Sequence, residues 1–140
     1  MISKPWTIFL FFLFITTQLT FSQRAAHPID VKNKQCHKNA LPTTNASMSC
    51  ESNALKAWKK EMDMYLEHIK KKSEQVDIAS FEISQKKWQE FFKAEVVVYN
   101  SYLNKLYKGG TLSRVASLTY KKEKMRKRTL ELKYFFENLE

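Results

Sequence analysis

The stretch LKAWKKEMDMYLEHI, Leu55 to Ile69, decides the fold. Leu55, Trp58, Met62, Tyr65, Leu66 and Ile69 recur at steps of three and four, which draws one apolar stripe down a helix and leaves Lys56, Lys59 and Lys60 mostly off it. Met48 is in phase upstream, so the spacing predicts a helix from Ala46 to Gln75, capped by Thr44 or Asn45 at the end of the turn Leu41 to Asn45. Further on, Asp77 is suited to cap a second helix, Ile78 to about Tyr107, whose stripe reads Phe81, Gln85, Trp88, Phe92, Glu95, Tyr99, Tyr102 and Leu106. Gly109-Gly110 ends it, and Thr111 is the expected cap of a third. There Leu112, Val115, Leu118, Met125, Thr129, Leu132, Phe136 and Leu139 align, with the gap at Lys122 read as a wider polar face.

Upstream of this frame, Pro28 fits the first position of a short helix reaching about Asn39, where its missing N–H costs nothing. Only 2 glycines and 3 prolines occur in 140 residues, too few turn residues for a strand-rich fold. The fold class is therefore all-α, a small antiparallel bundle of three long helices plus a short N-terminal one. Trp58 and Trp88, each on an apolar stripe, are expected to face each other across it.

The chain begins with Lys4, an apolar run from Trp6 to Leu19 and a small-residue exit at Thr20-Phe21-Ser22, the layout of a secretory signal. Its uncharged stretch of about 14 residues falls short of the roughly 20 needed to span a bilayer. Residues 1–22 are thus expected to be a signal peptide cleaved near Ser22, with 23–140 as one domain and a secreted or periplasmic destination. Cleavage removes one basic residue and no acidic one, leaving 23 basic against 14 acidic residues, net +9.

Such a charge favours anionic partners: an acidic protein face, an anionic envelope polymer or a membrane surface, with nucleic acid not expected outside the cell. The densest positive run is Lys121, Lys122, Lys124, Arg126, Lys127 and Arg128, the candidate binding patch. On a helix such a run wraps several faces, so a solvated surface is the competing reading. Gln85 and Glu95 sit in the second helix's inward stripe, where a carboxylate needs a partner; Arg114 and Arg128 are the candidates, and Gln85, Glu95 and Arg114 form the expected structural polar core. No catalytic residue, cofactor or metal is indicated, because His27, His37 and His68 are scattered and no nucleophile stands at workable spacing from a base. Cys36 and Cys50 are close enough in sequence to bridge across the first turn, closing a loop of about 15 residues worth about 3 kcal/mol. Two free thiols or a metal pair are the rivals.

Several of these residues, taken in order, carry a resemblance. HPID at His27 to Asp30 is followed by Cys36, then by TTNASMSC ending at Cys50, and next by Ala54, Trp58, Met62 and Tyr65. Gln85, Trp88, Phe91 and Glu95 follow, then GGT at Gly109 to Thr111 and KRTLEL at Lys127 to Leu132. In this order and spacing, from about His27 to Leu132, the chain resembles the LprI-like family, cysteine-containing helical domains of secreted bacterial proteins named after a lysozyme inhibitor. Phe92 and Lys93 stand where that family usually places Arg and Asp. The resemblance implies a non-enzymatic binding protein of the cell envelope, with lysozyme as one partner. Many animal lysozymes are themselves cationic, so a chain of this charge is steered away from them unless it presents a local acidic patch, and its acidic residues are dispersed along the sequence.

Overall fold

The computed structural model describes residues 26–139, and the expected signal segment 1–22 lies outside them. Four helices follow in order, α1 (Pro28–Asn39), α2 (Thr44–Lys70), α3 (Ile78–Leu106) and α4 (Thr111–Glu137). No strand occurs among the described residues. The bundle of three long helices and one short helix is the one the residue spacing predicts.

The helix ends show where local chemistry differs from the expectation. Thr43, rather than Thr44 or Asn45, caps α2, its hydroxyl accepting from the Ala46 N–H at 3.2 Å. α2 stops at Lys70 instead of Gln75 because the Gln75 and Val76 N–H groups turn back onto the Lys72 carbonyl. That turn delivers Asp77, which accepts from the Ser80 N–H at 3.3 Å and its hydroxyl at 2.7 Å and so opens α3. Gly109, at φ 74°, ends α3 in a conformation that favours glycine. Gly110, not Thr111, caps α4, and no side chain assists it.

The chain runs up, down and up, so α2 and α4 lie parallel and form the principal contact. Lys122 pairs with Glu51, Thr129 with Trp58 and Phe136 with Tyr65, each partner 71 residues earlier and each pair seven residues from the last. Seven residues is the repeat at which two parallel helices keep the same seam in contact. Trp58, Met62 and Ile69 of α2 meet Met125 and Leu132 of α4, and this is the core. Burying a side chain of this size stabilises by about 1.5–3 kcal/mol. Thr129 has no exposed surface; its hydroxyl donates to the Met125 carbonyl (2.8 Å), with the Trp58 carbonyl of α2 at 3.2 Å, so the smaller side chain lets the two backbones approach beside the indole.

Two expectations about the interior need correction. Trp58 and Trp88 do not stack on each other; Trp58 lies against His27 (centroids 4.3 Å) and under Arg126, while Trp88 stacks on Phe92 (5.3 Å) under Arg128. Of the stripe on α3, Gln85 is buried, but Tyr102 and Leu106 are more than half exposed and Leu103 is buried in their place. Along residues 95–103 the cross-helix hydrogen bonds of Glu95 and Asn100 and the ring stack of Tyr99 are all made to α4, and a helix packed mainly on one neighbour buries only a narrow line.

Candidate functional site

Of the basic run on α4, four of the six residues hold the bundle together, and two stand without a carboxylate partner among the described residues. Lys122 is buried and reaches Glu51 of α2 at 2.9 Å. Lys124 donates to Glu95 of α3 at 2.7 Å, and Arg126 to Asp30 of α1 at 2.8 Å. Arg128 donates through Nε and Nη2 to the Gln85 carbonyl oxygen of α3 at 3.1 and 3.0 Å, with Glu131 3.4 Å from its Nη1. Four of the six cations thus tie α4 to every other helix. The charged heads of Lys124, Arg126 and Arg128 also lie over the Tyr120, Trp58 and Trp88 rings while they meet neighbours' oxygens. Lys121 and Lys127 have no carboxylate partner among the described residues.

The gap at Lys122 in the third stripe is therefore no wider polar face, since a buried ion pair fills it. Burial alone would raise the Glu51 pKa, but hydrogen bonds from Lys122 and His37 (2.7 Å), with the Lys122 charge, outweigh it and hold the carboxyl below its usual range. The Asn33 amide of α1 completes the cluster, its nitrogen donating to Glu51 at 3.3 Å. Beside it the disulfide Cys36–Cys50 joins α1 to α2, with Cα atoms 5.7 Å apart. A signal for Glu51 was present in the sequence: it stands seven residues before Trp58, in phase with the apolar stripe.

Between α3 and α4 lies a shallow groove of about 160 Å³. Trp88, Phe91 and Phe92 form one wall and Lys124, Lys127 and Arg128 the other. The Gln85, Trp88, Phe91 and Glu95 pattern converges here: Gln85 anchors Arg128, the Arg128 guanidinium lies 5.7 Å from the Trp88 centroid, and Glu95 anchors Lys124. The Lys124 ammonium holds the Glu95 carboxyl below its usual range and is itself held above the usual lysine value. Phe92, where an arginine was the family expectation, fills the space beneath Trp88 with an almost parallel ring, 4° between planes. Phe91 points outward, 61% exposed, and begins a line continued by Val98 and Tyr102 at steps of seven and four on the outer face of α3.

Arg114, expected in the polar core beside Glu95, is exposed near the start of α4; Lys124, in the middle of the basic run, takes its place. The three histidines serve packing. His27 bonds Glu61 at 2.9 Å, His37 bonds Glu51, and His68 lies against Phe136 at 5.4 Å. Among the described residues no group of three His, Cys, Asp or Glu side chains could hold a metal, and no helix is long and apolar enough to cross a membrane.

No curated protein and no solved structure matches the chain. The family model described as lysozyme inhibitor LprI matches residues 36–132, from the disulfide on α1 to the last buried leucine of α4. That span takes in the whole of α2 and α3 and most of α4, and on this ground the chain belongs to the lysozyme inhibitor LprI family.

Proposed function

We propose that this protein is an exported, non-enzymatic binding protein that restrains lysozyme by forming a complex with it. The observation that carries the reading is the family match across residues 36–132. The outer face of α3 supports it as the contact surface. Phe91, Val98 and Tyr102 line up there, 61%, 70% and 54% exposed, with Leu106 one turn beyond Tyr102. Lysozymes of like charge gain nothing from long-range attraction to a cationic chain, so apolar contact has to supply the affinity. Aromatic residues at the centre of a contact face are the usual carriers of such affinity.

The basic run does not support adsorption onto an anionic surface, because Lys122, Lys124, Arg126 and Arg128 already have partners inside the bundle. The test is a cell-wall clearing assay with animal lysozyme, combined with titration calorimetry on the oxidised chain from residue 23. Inhibition with 1:1 stoichiometry is expected, weakened tenfold or more, a rough figure for losing central contacts, by the triple substitution Phe91→Ala, Val98→Ala and Tyr102→Ala. Full lysozyme activity in the presence of excess folded chain would rule the reading out.

A further inference from the structure

The distribution of charge along the chain becomes a distribution in space once the helices are packed. Residues 31–50 and 96–122 together hold eight lysines and arginines and no aspartate or glutamate. The topology brings these segments to one end of the bundle. The disulfide sets the end of α1 beside the start of α2, and the Lys122–Glu51 pair sets the first half of α4 against that start. Ser117 bonding to Asn100 and Tyr99 stacking on Tyr120 at 3.8 Å bring in the last half of α3. One pole of the molecule is thereby cationic with almost nothing to neutralise it.

A cleft of about 380 Å³ opens in that pole between α3 and α4, with Met48 of α2 at its edge. Its volume falls in the roughly 300–1,000 Å³ range of small-molecule sites. Arg114, Ser117 and Lys121 come from one face of α4, three and four residues apart, and Asn100 and Asn104 from one face of α3, four apart. Neither Arg114 nor Lys121 forms an ion pair among the described residues. Asn100 accepts from the Ser117 hydroxyl at 2.6 Å, which leaves its amide N–H groups without a partner among those residues. The cleft thus offers a planar cation, a point cation and side-chain amides.

We infer that this cleft binds a carboxylate-bearing saccharide. The Arg114 guanidinium matches a carboxylate with two parallel N–H donors, and Lys121, two helical turns along, adds a second positive charge. The Asn100 and Asn104 amides both donate and accept, as ring hydroxyls require. An acidic peptide fits less well. The cleft lies between helices, so it has no sheet edge to pair with a main chain, and Met48 and Leu118 are its only apolar lining residues, too few to anchor an amphipathic helix. The inference is independent of lysozyme binding, which concerns the outer face of α3.

The experiment titrates the oxidised chain from residue 23 with tri-galacturonic acid, with maltotriose as the neutral saccharide and hexaglutamate as the acidic peptide, following amide shifts by NMR at physiological salt. Tri-galacturonic acid is expected to bind, with shifts centred on Asn100, Asn104, Arg114 and Lys121. Arg114→Gln is expected to weaken it by about tenfold or more. Arg114 is exposed and forms no ion pair among the described residues, so the variant is expected to keep the parent melting temperature. Equal binding of maltotriose or hexaglutamate, shifts centred elsewhere, an unchanged affinity in Arg114→Gln, or no binding of tri-galacturonic acid at millimolar concentration would each overturn the inference.

Discussion

At the scale of single residues, the buried pair Lys122–Glu51 is the most consequential contact that amphipathic patterning hides. Its side chains are 9% and 6% exposed, so removing one partner strands a charge in the interior. Lys122→Met is expected to cost about 3 kcal/mol or more in urea unfolding at neutral pH, and Glu51→Gln combined with it less than the sum of the two single losses. A Lys122→Met loss below about 1 kcal/mol would show that the pair adds little beyond its neighbours. The pair also has a pH signature. Because Glu51 in the folded chain titrates below the ordinary 4.5, its stabilising contribution is complete above that value and disappears as pH falls through the lowered one. Acid unfolding of the parent is therefore expected below about pH 4.5, on the side where the carboxylate is protonated.

Within the basic run, the same argument separates neighbours in sequence. Arg126 lies over the Trp58 ring and bonds Asp30, whereas Lys127 is exposed and has no carboxylate partner among the described residues. Arg126→Ala is expected to lower stability by about 1–3 kcal/mol, counting the lost charged hydrogen bond and indole contact, and Lys127→Ala to change it by less than about 0.5. Equal effects of the two on the unfolding midpoint would mean that the run acts as a diffuse charge after all.

At the scale of helices, α2 and α3 were legible because their apolar stripes are broken by few charges, and α1 because Pro28 and the cysteine spacing announce it. α4 was legible as a helix but not as the hub. A helix contacted by three others buries residues on several sides, so its apolar positions no longer form one stripe, and long basic side chains do the bridging. The run from Lys121 to Arg128 then looks like a surface when read alone, and its partners Asp30, Glu51, Gln85 and Glu95 lie 29 to 96 residues away in chain order. Tyr102, Leu106 and Leu112 were read as inward by phase, yet all are more than half exposed, because periodicity says which residues share a face but not which neighbour covers it.

α1 illustrates the opposite case, a helix held by cross-links more than by burial. None of its twelve residues is fully buried; Ile29 packs against the core, and the remaining ties are polar or covalent. Its disulfide closes a loop of about 15 residues, so Cys36→Ser with Cys50→Ser is expected to cost about 3 kcal/mol. Hydrogen exchange is the direct check. In the serine variant the α1 amides are expected to exchange at the rate of unstructured chain while those around Trp58 and Thr129 keep their protection. Loss of protection throughout would instead make α1 an integral part of the core.

At the scale of the whole molecule, the two proposed contacts answer salt with opposite signs, and that follows from net charge alone. The chain carries +10 overall, and residues 23–140 alone carry +9. Like charges on chain and lysozyme repel beyond contact distance, so added salt shortens the reach of that repulsion, from a Debye length of about 30 Å at 0.01 M to about 8 Å at 0.15 M. Encounter with lysozyme is accordingly expected to accelerate as salt rises over that range, while dissociation, governed by the apolar face of Phe91, Val98 and Tyr102, stays nearly constant. A carboxylated saccharide approaching the cationic pole experiences attraction instead, so its affinity is expected to fall over the same range. Stopped-flow association rates for the protein and calorimetry for the saccharide, at the two salt concentrations, give the signs directly. A lysozyme association rate that falls steeply with salt would mean that charge attraction draws the two together, and the contact would then have to be moved from the outer face of α3 to the basic side chains of the pole.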